Sequence, residues 1–233
     1  MVQRKTGMTI RKTHRYLGLF LGIQFMMWTI SGLYFSWTDI DEIHGDQFRK
    51  KVIPIVHQNL LSLDSISTTF GVSSLALRTI ANNPYYWIND SVLIDARSGI
   101  IKNKISEAEA LKVASAYMIE DLEVLSIDLL TKTGKHHEYR GRPLPVYVIN
   151  YDHPENVKTY INAKDGSFQR VRHQSWRWFD FLWMTHTMDY DGRDDFNTIV
   201  LRAFSLLGLI TVLSGFVLWY VSSSTVRKIF RKR

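Results

Sequence analysis

YLGLFLGIQFMMWTISGLYF, residues 16–35, runs for 20 positions without a charge. Its only polar members are Tyr16, Gln24, Thr29, Ser31 and Tyr34. A helix of this length crosses a hydrocarbon core of roughly 30 Å. A second run, AFSLLGLITVLSGFVLWYV at 203–221, adds 19 more uncharged positions, and Phe196 to Leu201 extends it past Arg202. Tyr34 and Trp37 close the first run, and Trp219 and Tyr220 close the second, as aromatic side chains do at a membrane–water interface. A cleavable signal would end a shorter apolar stretch, of about 7–15 residues, at a small-residue site. Leu33-Tyr34-Phe35-Ser36-Trp37 is a poor one. Two transmembrane helices are therefore expected.

Charge sets their orientation. Arg4, Lys5, Arg11, Lys12 and Arg15 precede the first run, and Arg227, Lys228, Arg231, Lys232 and Arg233 follow the second, with no acid in either tail. Positive flanks stay in the cytoplasm, which places both termini there and the middle of the chain outside the inner membrane. Of 29 basic residues these ten leave 19 against 22 acids, so the formal charge of +7 comes from the tails. Basic residues beside membrane spans argue against nucleic acid as a partner and for the lipid bilayer. The chain has no cysteine. That excludes disulfides, covalent c-type haem and thiolate-held iron–sulfur clusters.

Between the runs the chain reads as an α+β domain. Ser106-Glu107-Ala108-Glu109 is a capping box, and Ala110, Leu111, Ala114, Tyr117 and Met118 then recur at helical spacing. Pro145 to Tyr151 and Val157 to Ala163 are β-rich about the turn Asp152 to Asn156, and a hairpin through Lys164-Asp165-Gly166 leads to Ser167 to Val171. Ile94-Asp95-Ala96-Arg97-Ser98-Gly99-Ile100 echoes Ile161-Asn162-Ala163-Lys164-Asp165-Gly166-Ser167, which suggests two related units. The expected fold is helices packed on antiparallel sheet. The boundaries are a basic tail at 1–15, a span at 16–37, the outer domain at 38–172, an aromatic interfacial helix and acidic loop at 173–195, a span at 196–221 and a basic tail at 222–233. No nucleophile, phosphate loop or dinucleotide fingerprint marks the domain as an enzyme. His136, His137 and His153 fall in polar loops.

Three histidines stand closer to the spans. His14 opens the first, with Gly18 and Gly22 at i+4 and i+8 on its face. That stripe suits either the flat face of a porphyrin or a close helix–helix contact. His186 shares a helical face with Trp176, Phe179 and Trp183, which is either a porphyrin-binding stripe or an interfacial anchor. His44 lies in the acidic stretch Asp39 to Asp46, as His186 precedes the acidic stretch Asp189 to Asp195. Imidazoles with carboxylates make a candidate metal site for an ion such as iron, or else the carboxylates are helix caps and solvated charge. His14 lies about 30 Å from the outer interface, so it cannot share a haem with His44 or His186.

Thr13-His14-Arg15-Tyr16-Leu17-Gly18-Leu19, Ser31-Gly32-Leu33-Tyr34, the unit from Ser106 to Gly166 and Leu213-Ser214-Gly215-Phe216-Val217-Leu218-Trp219 together resemble the PepSY-associated transmembrane family. The resemblance covers most of the chain and is poorest over 49–90. It implies a PepSY-like domain between membrane helices. Larger relatives include inner-membrane ferric-siderophore reductases that carry b-type haem on histidines of their membrane helices. By resemblance, then, the expectation is a haem b redox component passing electrons across the membrane towards ferric iron. It departs from such relatives in having two spans where they have about four, so it is not expected to be a self-contained reductase. A second copy would supply the further histidine that an inner haem needs, making a homodimer, and without a flavin or nicotinamide signature the electrons would come from a quinol or a partner reductase. The alternative is a non-enzymatic accessory protein whose outer domain binds a metal, a peptide or a partner complex, peptidase regulation included.

Overall fold

The computed structural model describes residues 4–67 and 71–223. Most of the C-terminal tail expected at 222–233 lies outside the described residues. The chain divides into two units, one formed by the sequence up to Trp37 together with Asp180 onward, the other by Thr38–Phe179.

The first unit is helical. Helix α1, Arg4–Trp37, has 34 residues and begins inside the basic segment expected as a separate tail. Helix α6, Ile199–Ser222, starts where the Thr198 hydroxyl accepts from the Leu201 amide. The two helices meet where α6 is thin. A Cβ on Gly208 would lie 3.2 Å from the Phe25 ring, and one on Gly215 would lie 3.2 Å from His14. The rings of Phe20 and Phe204 stack at 5.8 Å. Much of the remaining apolar surface is exposed, with Leu19 at 75% and Phe216 at 65%. Gly7–Trp37 and Ile199–Tyr220 are long and apolar enough to cross a membrane. Apolar faces of this extent are costly in water, which supports membrane association.

The second unit holds two four-stranded antiparallel meanders. Strands β1 (Leu75–Ile80), β2 (Asn83–Ile88), β3 (Val92–Asp95) and β4 (Ile101–Lys102) form one, and β5 (Val124–Leu130), β6 (Val146–Tyr151), β7 (Lys158–Asn162) and β8 (Phe168–Arg172) the other. Each follows a helix, α3 at Leu63–Ser67 and α4 at Glu107–Tyr117. The sequence echo marks the same turn in both. Gly99 N–H donates to the Asp95 carbonyl and Gly166 N–H to that of Asn162, each at 2.9 Å. Ala96 N–H reaches the Pro84 carbonyl and Ala163 N–H that of Pro145, each at 3.0 Å. The Ala96 and Ala163 carbonyls accept from Leu61 and Ile105, the residues that lead into α3 and α4. A shared bonding scheme of this kind marks a duplicated unit.

Helix α4 supplies the shared core. Ser106 and Glu109 complete the capping box in both directions, and Ala110, Val113 and Ala114 pack with Tyr85, Trp87 and Leu93 from one sheet and Tyr147, Ile149 and Ile161 from the other. On the opposite face of the second sheet, Tyr139 and Tyr160 stack at 4.6 Å. The segment after α1 also joins this unit. Asp39 caps α2, Ile40–His44, and Gly45 ends it at φ 84°. Ile43 and Phe48 are buried, and Arg49 bridges to Met118.

The two turn glycines differ in what surrounds them. Gly166 has φ +66°, and a Cβ there would lie 2.7 Å from Ile80 Cγ1 in the core. Gly99 has φ +76°, but its Cβ would meet only Leu61 Cδ1 at 3.3 Å, the end of a flexible side chain. Gly166→Ala should therefore lower unfolding stability by about 3 kcal/mol, combining left-handed strain with overpacking. Gly99→Ala should cost about 1 kcal/mol, from strain alone. Denaturant unfolding of both variants checks the order; equal losses would contradict it.

Candidate functional site

In the helical unit, His14 and His186 are each held by a serine that precedes a glycine. His14 Nδ1 lies 2.8 Å from the Ser214 hydroxyl, and that hydroxyl donates its hydrogen to the Thr211 carbonyl at 2.7 Å. His186 Nδ1 lies 2.7 Å from the Ser31 hydroxyl, which donates to the Met27 carbonyl at 2.7 Å. A hydroxyl has one hydrogen. When it is committed to the helix backbone, the serine oxygen is left to accept from an Nδ1–H. The unprotonated nitrogen is then Nε2, the form in which histidine ligates a metal, with its other nitrogen donating to an outer partner.

Gly215, beside His14, also lines an open hollow with Val212, Phe216 and Trp219. His186 lies edge-on to Phe35 at 5.6 Å, in a group where Trp183 contacts Phe35 and Phe196. Its backbone is pinned too, since Trp28 Nε1 donates to the His186 carbonyl at 2.8 Å. Gly18 and Gly22 have nothing within 4 Å of a Cβ, and the close helix contact is made instead by Gly208 and Gly215 of α6. They leave open space along the His14 face. Both histidines lie in the helical unit. They do not meet each other. Ser31, which holds His186, is 17 positions beyond His14 on one helix, about 25 Å along the axis.

The metal expected at the acidic stretches finds little support. His44 is exposed in the last turn of α2 and belongs to the second unit. Asp39 is spent as the α2 cap and Asp46 on Arg49 at 3.0 Å. Asp189 is buried and accepts from the amides of Asp191, Gly192, Asp194 and Asp195. Burial opposes its ionisation, but the four amides prevail and hold its carboxyl below the ordinary range. Among the described residues, no three of His, Asp and Glu gather as a metal-holding group.

The second unit contains polar centres that patterning does not reveal. Glu138 accepts from Arg177 Nε and from the Tyr160 hydroxyl, each at 2.7 Å, with Lys158 at 3.5 Å. Burial raises its pKa, but the bonds from Arg177 and Tyr160 outweigh that and leave it lowered. Arg172 donates from Nε to the Glu138 carbonyl at 3.0 Å and lies 3.8 Å over the Trp176 ring. Its own pKa falls to about 10, chiefly through burial, with Arg170 beside it.

Residues 104–172, which contain α4 and all of the second sheet, match the PepSY family, described as a peptidase propeptide and YPEB domain. The chain carries a PepSY domain. The match stops short of the first sheet, although that sheet repeats the bonding scheme of the second. No curated protein matches the chain, and no solved structure does.

The serines were visible without their purpose. Ser31-Gly32 and Ser214-Gly215 stand out in the sequence as membrane-helix motifs, but which histidine each receives depends on helix pairing. No local signal marks Glu138 or His173.

Proposed function

We propose that this is a two-span membrane protein that holds haem b on His14 and His186 and passes electrons across the membrane, with its PepSY-containing domain on the outer side. The observation that carries this reading is the paired contact: two histidines of the helical unit, each with Nδ1 within 2.8 Å of a serine hydroxyl, an arrangement that leaves Nε2 to ligate when Nδ1 donates. Haem supplies reversible one-electron chemistry when bound. The chain supplies axial nitrogens, the apolar hollow beside His14, and the open Gly18–Gly22 face. Because the two histidines are about 25 Å apart, each needs a second ligand from elsewhere. A homodimer provides it, with one haem towards each leaflet. The electron donor would be a quinol or a partner reductase and the acceptor ferric iron or a ferric siderophore, as the resemblance to siderophore reductases implies.

A second reading rests on the PepSY match. In it the protein is a non-enzymatic accessory, and the outer domain binds a peptide, a metal or a peptidase partner. Visible spectra of the detergent-purified protein, made with ample haem, separate the two. The haem reading expects a sharp b-type α-band on dithionite reduction. A featureless spectrum from an intact dimer refutes it and leaves the accessory reading.

A further inference from the structure

His173 is fully buried, at 0% exposure, between β8 and α5, which runs from Gln174 to Thr187. Its Nδ1 lies 2.9 Å from Glu155 Oε2, and its Nε2 lies 3.2 Å from the Ile43 carbonyl oxygen. A backbone carbonyl is only an acceptor, and so is an ionised carboxylate. For both bonds to form at once, both ring nitrogens must carry hydrogen, which is the imidazolium form.

The ring is enclosed by few other charges. Glu155 is the one acid bonded to it. His153, on the same turn, touches the Phe48 ring as His173 does, and its Nδ1 accepts from the Glu155 amide at 3.2 Å. Arg177 reaches the Glu155 carbonyl at 3.5 Å while its Nε is held by Glu138. Arg172 is turned to the Glu138 carbonyl. On the α2 side, Asp46 pairs with Arg49, and Asp41, Glu42 and His44 make no bond to the ring. Loss of the His173 proton would turn a lone pair towards either a carbonyl or a carboxylate.

We propose that His173 is a protonation latch that fastens the segment Ile40–Phe48 to the PepSY-containing domain. When the ring is charged, it joins the Ile43 carbonyl to Glu155, and Gly45 seats against Val171. When the ring is neutral, one of its two bonds is lost and the α2 segment loosens. The latch grips two stretches of chain at once: the one that follows α1 and the one that begins α5. These are the domain's covalent connections to the helical unit, so the pH outside the membrane sets how firmly they are tied. This inference stands whether or not the protein binds haem.

The test is hydrogen exchange of the full chain in detergent from about pH 5 to about pH 8, where histidines change charge. Amides of 41–48 are compared with those of α4 in the same sample, which cancels the chemical pH dependence. Relative protection of 41–48 should fall at least tenfold across the range. Glu155→Gln, a change at a half-exposed carboxylate, should move the transition to lower pH. Nitrogen NMR of the His173 ring should show both nitrogens protonated at the acid end. A flat protection ratio, an unmoved transition in Glu155→Gln or a neutral ring at pH 5 would overturn the latch.

Discussion

On the proposed haem reading, Ser31→Ala and Ser214→Ala should each weaken haem retention by about 10- to 100-fold, although neither removes a proposed ligand, because each deletes the outer partner that fixes the imidazole. Alanine leaves Nδ1–H without its acceptor, so the ring is free to turn or to place its proton on Nε2. His14→Ala and His186→Ala should go further, each abolishing one haem, and the double variant should lose the reduced α-band entirely. Haem titration of the apo-protein, with spectra recorded on reduction, reads all four. The serine variants distinguish ligation from mere helix packing. Neither serine is large, and each hydroxyl also bonds its own helix backbone, so substitution by alanine should leave the helices folded. Equal haem affinity in wild type and both serine variants would show that the two bonds position the rings for packing alone. Thr29→Ala provides the control. Its hydroxyl likewise bonds a backbone carbonyl, that of Phe25, but is exposed and receives no histidine.

Much of the second unit was legible before any coordinates. Ser106 and Glu109 announced α4 because a capping box is local chemistry, and the Gly turns announced two hairpins because positive φ selects glycine. Strands β6, β7 and β8 fall within a residue or two of the β-rich stretches. Helix α1 begins about twelve residues before the uncharged run, since nothing in Arg4 to Arg15 breaks a helix, neither proline nor a capping residue followed by an apolar onset. Gly18 and Gly22 do not make the close helix contact that their spacing allows. Small residues at i and i+4 permit close approach, but which helix approaches is decided by its partner's surface, and here α6 brings its own glycines. The acidic stretches illustrate the opposite case. Asp39, Asp46 and Asp189 resemble ligands when counted, but Asp39 and Asp189 accept from backbone amides and Asp46 pairs with Arg49. His173 and Glu138 were out of reach because each joins segments far apart in the chain, 130 residues in the case of His173 and Ile43.

Glu138→Ala should be the most damaging single change to the PepSY-containing unit, lowering its stability by about 3 kcal/mol at neutral pH. The side chain is 14% exposed and neutralises Arg177 and Lys158 while accepting from the Tyr160 hydroxyl. Its loss leaves the Tyr160 hydroxyl, buried under the Tyr139 ring, without an acceptor. It also leaves two cations beside Arg172, whose charge is already disfavoured by burial and by Arg170. The figure sits at the low end for a broken buried pair because Lys158 and Arg177 keep some contact with water. The pH dependence has a definite sign. Glu138 titrates lower in the folded protein than its ordinary carboxyl value, so its contribution is present above about pH 4.3 and is lost as pH falls through the lower folded value. The gap between wild type and Glu138→Ala should therefore be widest at neutral pH and close in acid, as read by the unfolding free energy from hydrogen exchange of β6 and β7 amides. A gap that stays constant down to pH 3 would mean that Glu138 contributes by packing rather than by charge. Glu138→Gln refines the point. It keeps the shape and one acceptor for Tyr160 but not the charge, so it should recover part of the neutral-pH stability and lose the acid dependence.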